Sequence, residues 1–514
     1  MFAILGIKGE ELGEDAQQWK ARVVLQGSNI RTKSGVSAAD LFEEVANAPA
    51  SFAAARAALA VAALTGRAVS LRDAEAAYLQ ALIDTPFRIP TYVELPREWW
   101  LDAWFLDGAA RQRPKYVRPH CRLKKALYGH PEAGALWESK LNGILKQHGW
   151  EPAGLDHPGV HVHPDGGIFV VYVDDMLMIA PPSIAGPFWR ALDTAIVFKE
   201  LEQEIDRYLG ARYTMDPVKP ACSSAPRRLH TDMDDYVANA IARFDSEYKG
   251  ELRKVTSPFL TPEQWAEDGV CPGVFAGSCA SHVATLLFLS RVARPDIAVA
   301  VQRLCSVVSR WSTTHDAALV RLYAYLKAAG PMALAAEMAP EDIFDLELLM
   351  WSDADWAGDS EHMKSTGGVL MELHSPSSGR RWPLSWAVRK QTSTAGSTAE
   401  AETVALSHNT KHEGIPTQML LERMLGIDIP LVALVDNTQA ISAVTKGYSK
   451  KLKFLERTHK VSIGLLHELV VERGAMILRH APTATHRGDG FTKAMSPARF
   501  LEARDLMGMI RTRP

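Results

Sequence analysis

Two groups of acids in this sequence could carry chemistry. In FVVYVDDMLMIA (169–180), Asp174 and Asp175 stand side by side inside an apolar run, and in VSLRDAEAAYLQ (69–80) a strand-like run ends at Asp73, with Tyr78 shortly after it. Adjacent anions away from water are costly unless cations neutralise them, so the pair either occupies a solvated turn or holds a metal. Three carboxylates at one sheet edge suit two hard divalent cations with oxygen ligands, an arrangement able to activate a hydroxyl and stabilise a leaving pyrophosphate. The second group is Asp353 in MWSDADWAGD, Glu400 in STAEAETVAL, Asp436 in LVALVDNTQAI and Asp489 in HRGDGFTKA. Four acids around two Mg²⁺ ions would let a metal-activated water attack a phosphodiester. Singly, each of these acids has an ordinary use as a turn residue, helix acid or cap. Glu402 competes with Glu400, because only one of two helical residues so close in sequence can face a given site. The spacing before TVAL favours Glu400.

The elements that must position these acids are legible as patterns. Apolar β-formers on both sides of Asp174-Asp175 predict a hairpin whose turn projects the acids out of a sheet. Upstream, a strand from Trp19 to Gln26, an Ala-rich helix over 51–66 and a strand entering SLRDAEAAYL alternate α with β. The polar segment MDPVKPACSSAPRR (215–228) predicts a linker, followed by a helical block to about residue 345. The apolar stripe around Pro295 is expected to be core, and His315, just before a helix, to be structural. From LELLMWSDADWAGD onward the pattern is a strand, a turn-rich hairpin at HSPSSGRRW, helices and a second strand, LVALVDN. The expected domains are 1–215, 216–345 and 346–514, with no internal repeat.

With 514 residues, 47% of them hydrophobic, the chain can bury a sizeable core in two or three domains. A net charge of -3 supplies no global basic field, so any nucleic-acid surface must be local. The best such stretch is KGYSKKLKFLERTHK (446–460), which sets six Lys or Arg, including Lys450, Lys451 and Lys453, against one Glu, with two aromatics interleaved. Five scattered cysteines without a CxxC pair argue against a disulfide framework or a zinc knuckle. Neither a secretory signal nor a membrane span is readable, so the expected location is cytosolic or nuclear, with no membrane partner.

Tyr-x-Asp-Asp in an apolar hairpin, preceded by Asp-x-x-x-Ala-Tyr, resembles the palm of reverse transcriptases. KARVVLQG (20–27), CRLKKALYGHPEAGALW (121–137), RYLGARY (207–213) and ARPDIAVAV (293–301), in this order, make the resemblance one to the polymerase of copia-type LTR retrotransposons. SDADWAGD, STGG, LSW, KQ and DNTQAI resemble the ribonuclease H of the same elements. The resemblance implies an α+β chain: right-hand fingers and palm, a helical thumb or connection, and a C-terminal α/β ribonuclease H-like domain with a mixed sheet. It implies that Asp73, Asp174 and Asp175 bind two Mg²⁺ ions, for which Mn²⁺ can substitute, and that Asp353, Glu400, Asp436 and Asp489 bind two more. Lys20 and Arg22 would bind the triphosphate, and Tyr78 would lie under the incoming sugar and exclude a 2′-hydroxyl. The implied partners are an RNA template, a DNA primer, dNTPs and an RNA–DNA hybrid gripped by Lys450, Lys451 and Lys453.

Three departures accompany the resemblance. Glu132 replaces the usual Gln after LYG and would repel a triphosphate unless paired, THKVS (458–462) replaces the usual KHID, and the first fingers segment is expected to be missing. They keep two alternatives open: a decayed or domesticated remnant that binds nucleic acid without turnover, and a chain retaining only nuclease activity.

Overall fold

The apolar run around Asp174-Asp175 folds as the expected hairpin, with Ile168–Tyr172 antiparallel to Asp175–Ile179 and Tyr172 opposite Asp175. In this computed structural model, residues 1–8, 18–32, 34–37, 49–85, 89–218, 225–266, 271–358 and 362–512 are described. They form a mixed α/β chain with several sheets.

One unit comprises Met1–Ala50, Ser70–Pro152 and Pro158–Gln203. Its sheet sets the Val69–Asp73 strand beside Asp175–Ile179, which is followed by Ile168–Tyr172 and Val160–Val162. Alternation along the hairpin sends Phe169, Val171, Met176 and Met178 into one cluster with Trp137, Leu141 and Leu145 of the Ala133–Gln147 helix and Trp189 and Leu192 of the Pro182–Asp193 helix. Gly159 permits a close crossing here: a Cβ would stand 2.5 Å from the Ala50 nitrogen and 2.8 Å from the Val171 carbonyl oxygen. A separate ribbon pairs Phe2–Lys8 with Gln18–Val24.

The other unit takes Ser51–Val69, Ala153–His157 and Glu204–Pro514. The Ala-rich run is a helix, Phe52–Thr65, capped by the Ser51 hydroxyl oxygen, which accepts from the Ala54 N–H, and closed by Gly66 in the left-handed region at φ +64°. Its Arg56 is buried, donating to the carbonyls of Leu384, Arg291 and Val292 and lying over the Trp386 ring. No described helix is long and apolar enough to cross a membrane. Cys121, Cys271, Cys279 and Cys305 are free thiols, and Cys222 lies outside the described residues.

Sheet pairing runs across the boundaries expected near residues 215 and 345. Arg227–Asp232 and Met332–Met338, both within the segment expected to be mostly helical, are antiparallel partners. They sit in a five-stranded sheet flanked by Ala211–Met215 on one side and Met509–Arg511 on the other. Within the segment 215–228, expected to be a linker, residues 219–224 lie outside the described residues. The second sheet of this unit is mixed, in the order Arg381–Lys390, Thr366–His374, Glu347–Ala354, Leu431–Val435, Met476–His480, and its last two pairings are parallel.

Each unit buries polar groups whose loss should be felt in its stability. In ARPDIAVAV the Arg294 guanidinium grips Asp296 through bonds of 2.9 and 2.8 Å, and the Tyr325 hydroxyl donates to the same carboxylate at 2.6 Å. Asp296→Asn leaves a buried guanidinium unpaired and is expected to cost about 3–5 kcal/mol of unfolding free energy, measured by urea denaturation. In the first unit, burial pushes the His161 imidazole down to about 4. The unfolded chain therefore takes up that proton first as pH falls, and stability present above about 6.5 is lost towards pH 4. Denaturation midpoints should fall less steeply between pH 7 and 4 in His161→Gln than in the wild type, the gap approaching about 3 kcal/mol.

Candidate active sites

In the first unit the acids meet through backbone pairing. The Ala74 N–H donates to the Asp174 carbonyl at 2.8 Å, which sets the end of the Val69–Asp73 strand against the hairpin turn. That turn is Val173-Asp174, with Val173 in the left-handed region at φ +58°, an uncommon conformation for a β-branched residue. The buried Trp137 indole N–H holds it by donating to the Val173 carbonyl at 2.8 Å. Asp175 opens the returning strand.

A cation absent from the sequence expectations lies between these acids. Lys199 forms a short ion pair with Asp73 and stands 3.9 Å from Asp174. It is delivered there by its own N–H, which donates to the Asp73 carbonyl at 3.0 Å. No spacing rule picks this lysine out of FKELEQE; only the neighbouring strand pairing does. The Asp73 Oδ1 atom is buried without a hydrogen-bond partner, so the site keeps an oxygen donor in reserve.

Tyr78 and Tyr128 stand with ring centroids 5.1 Å apart beside this cluster. Burial, then the Asp174 charge, raises the pKa of both phenols. The Arg22 guanidinium lies over the Tyr128 ring at 5.7 Å, so one of the two expected triphosphate cations reaches the edge of the site. Lys20 is on the same strand, two residues earlier and half-buried. Glu132 directly precedes the Ala133–Gln147 helix.

In the second unit, register brings the acids together. Glu347–Ala354 and Leu431–Val435 run parallel with Trp351 opposite Leu434, so Asp353 and Asp436 emerge as neighbours at the same sheet edge. The Thr398–Asn409 helix adds Glu402, and one oxygen from each of Asp353, Glu402 and Asp436 lies within 4.8 Å of the others. Asn409 clamps the end of this helix to two strands, donating to the Ser352 hydroxyl and the Gly368 carbonyl, both at 3.0 Å. Asp353 and Glu402 are each 2% exposed. Burial, followed by the charges of Asp353 and Asp436, pushes the Glu402 carboxyl up to about 10. Its Oε2 has no hydrogen-bond partner. Asp355, also unassigned from sequence, is pushed up to about 6, chiefly by burial.

Glu400 is not a member of the group formed by Asp353, Glu402 and Asp436. Glu400 is the third residue of its helix; its Oε2 accepts from the Gly396 N–H at 2.8 Å, its backbone N–H donates to the Ser397 hydroxyl at 3.3 Å, and its Oε1 faces His459 at 3.2 Å. It is a helix cap. Ser397-x-x-Glu400 is the sequence signature of that cap, and reading it would have released Glu402 for the cluster.

Asp489 reaches the same edge from a short turn, Arg487–Phe491, and shares a second group with Asp353 and His486. Burial and then the Asp353 charge raise its pKa, while Lys493 at 3.3 Å and Arg499 at 3.6 Å pair with it. Lys450, Lys451 and Lys453 are exposed around a buried Leu452, with Lys453 4.7 Å from the Phe454 ring centroid. His315 is structural as expected, its Nδ1 accepting from the Ser312 N–H at 2.9 Å.

Oxygen donors dominate both clusters, and each holds a buried carboxylate oxygen without a partner, Asp73 Oδ1 in one and Glu402 Oε2 in the other. That donor set fits hard divalent cations.

Residues 7–216 match the reverse transcriptase (RNA-dependent DNA polymerase) family. Over 507 residues, 97% of its length, the chain is 26% identical to the retrovirus-related Pol polyprotein from transposon RE1 of Arabidopsis thaliana, covering 31% of that protein. It is 24% identical over 509 residues to the corresponding polyprotein from transposon TNT 1-94 of Nicotiana tabacum, covering 34% of it. A stretch of 131 residues is 37% identical to the secreted RxLR effector protein 161 of Plasmopara viticola, covering 26% of this chain and 85% of that one. The chain therefore spans about a third of the length of the polyproteins it matches. Over residues 7–216 it belongs to the reverse transcriptase family, and across most of its length it is a homologue of the Pol polyproteins of copia-type retrotransposons.

Proposed function

We propose that this chain is an RNA-directed DNA polymerase of the right-hand architecture, with a C-terminal ribonuclease H activity on RNA–DNA hybrids. The observation that carries the reading is the convergence of acids far apart in sequence: Asp73 with Asp174 around Lys199, and Asp353 with Glu402 and Asp436. The mixed sheet order of the second unit, with antiparallel strands on one side of Glu347–Ala354 and parallel strands on the other, supports a ribonuclease H-like domain.

In the polymerase, Asp73, Asp174 and Asp175 are the carboxylates that would hold two Mg²⁺ ions. When bound, the ions neutralise the triphosphate and make the primer hydroxyl a better nucleophile. Lys20 and Arg22 offer cations to the phosphates, and Tyr78 presents a ring that leaves no room for a ribose 2′-hydroxyl. Lys199, paired with Asp73 and near Asp174, is the cation that the ions would have to replace there. Template RNA, primer DNA and dNTPs are the partners.

In the nuclease, Asp353, Glu402, Asp436 and Asp489 are the carboxylates that would hold the ions. Burial keeps Glu402 protonated at neutral pH until a stronger cation replaces its proton. Lys450, Lys451 and Lys453 are placed to meet a phosphate backbone, with Phe454 adding a flat apolar surface.

Two measurements test the two halves. Primer extension on an RNA template with dNTPs and Mg²⁺ should fall by about a hundredfold or more in Asp174→Asn; equal rates in the folded variant would refute the polymerase. On a labelled RNA–DNA hybrid, Glu402→Gln should abolish cleavage. Glu400→Gln should retain it while losing about 1 kcal/mol of stability, the usual worth of a cap. The reverse pattern would restore Glu400 to the site.

A further inference from the structure

The nuclease reading leaves one buried group beside its acids without a task. His486 is 1% exposed, and its Nε2 lies 3.1 Å from the Leu434 carbonyl oxygen. A carbonyl can only accept, so Nε2 carries the proton and Nδ1 keeps its lone pair. That Nδ1 is buried with no hydrogen-bond partner. A ring nitrogen of His486 and one oxygen each from Asp353 and Asp489 lie within 4.8 Å of one another.

The bare edge of the ring and the Asp353 side chain meet at Gly488. At Gly488 a Cβ would meet His486 Cε1 at 2.7 Å and Nδ1 at 3.0 Å, with the Asp353 Cβ at 3.2 Å. Trp351 packs edge-on against the imidazole at 5.5 Å and fixes its plane. The Thr492 hydroxyl donates to Asp353 Oδ2, which orients that carboxylate. Leaving such an acceptor buried and unpaired costs about 1–3 kcal/mol. Imidazoles that ligate metals characteristically donate their other N–H to a carbonyl or carboxylate, as Nε2 does here.

We propose that His486 Nδ1, Asp353 and Asp489 form a mixed nitrogen–oxygen site that takes a first-row transition ion such as Mn²⁺ in preference to Mg²⁺. The proposal rests on the nuclease reading and specifies the ion at one of its positions. Mg²⁺ favours all-oxygen ligation and sheds water reluctantly, whereas an imidazole nitrogen favours the manganese-to-zinc series. Lys493 and Arg499, which pair with Asp489, would compete with the ion for that carboxylate.

The test is Mn²⁺ binding to the full chain carrying Asp73→Asn and Asp174→Asn, which removes competing acids of the first unit, read by electron spin-echo modulation. Bound Mn²⁺ should show ¹⁴N modulation that converts to the ¹⁵N pattern when histidine is ¹⁵N-labelled. His486→Gln, which keeps a donor for Leu434, should remove the nitrogen signal and weaken Mn²⁺ by roughly tenfold or more, with Mg²⁺ affinity changed by less than about twofold. Gly488→Ala, which crowds Nδ1 while leaving His486 in place, should do the same. Bound Mn²⁺ without nitrogen modulation, or no Mn²⁺ binding, would overturn the proposal. Hybrid cleavage by the same preparation separates the two ideas: cleavage without nitrogen coupling removes only the role of His486. Nitrogen coupling without cleavage supports that role and removes the nuclease.

Discussion

Like charges held together out of water are the constraint around which the second unit is arranged. Two carboxylates about 4 Å apart repel by roughly 4 kcal/mol at an effective dielectric of 20, so a buried group of them persists only with protons or cations. The fold enforces this proximity through backbone register. Parallel pairing of Glu347–Ala354 with Leu431–Val435 lines up Asp353 and Asp436, and Asn409 pins the helix that delivers Glu402. A proton on Glu402 relieves the repulsion in the free protein, consistent with its carboxyl being pushed up to about 10. Exchange of that proton for a divalent cation is the step that would turn a structural liability into a catalytic centre.

The first unit meets the same difficulty differently. Asp73 and Asp174 share an ammonium, Lys199, brought to them by a backbone hydrogen bond from a chain segment more than a hundred residues beyond Asp73. Their hairpin turn stores local strain at Val173, and the Trp137 indole holds it in place. A turn over-determined in this way presents its acid with little freedom, which suits a group that must meet a ligand in one geometry.

Much of this was legible in the residues, and what was not has identifiable causes. The hairpin at 168–179 and the helix at 52–65 were readable because flanking β-formers and an alanine-rich run act locally. Glu402 stood as the rival of Glu400, and Ser397-x-x-Glu400, which marks a helix start, is the local signal that bears on the choice. Lys199 and His486 were not readable, since each owes its place to pairing with distant backbone, the Asp73 carbonyl in one case and the Leu434 carbonyl in the other. The strands at 227–232 and 332–338 were hidden for a similar reason: they are short and lie among helices, and their partners include residues 509–511 at the far end of the chain.

In the proposed nuclease, the carboxylates at one sheet edge of the second unit would give up protons to divalent ions. Crystals of the chain soaked in Mn²⁺ and measured at the manganese absorption edge should show anomalous peaks within bonding distance of Asp353, Glu402 and Asp436, and a contribution from Asp489. Density free of manganese at that edge at saturating concentration would overturn this reading.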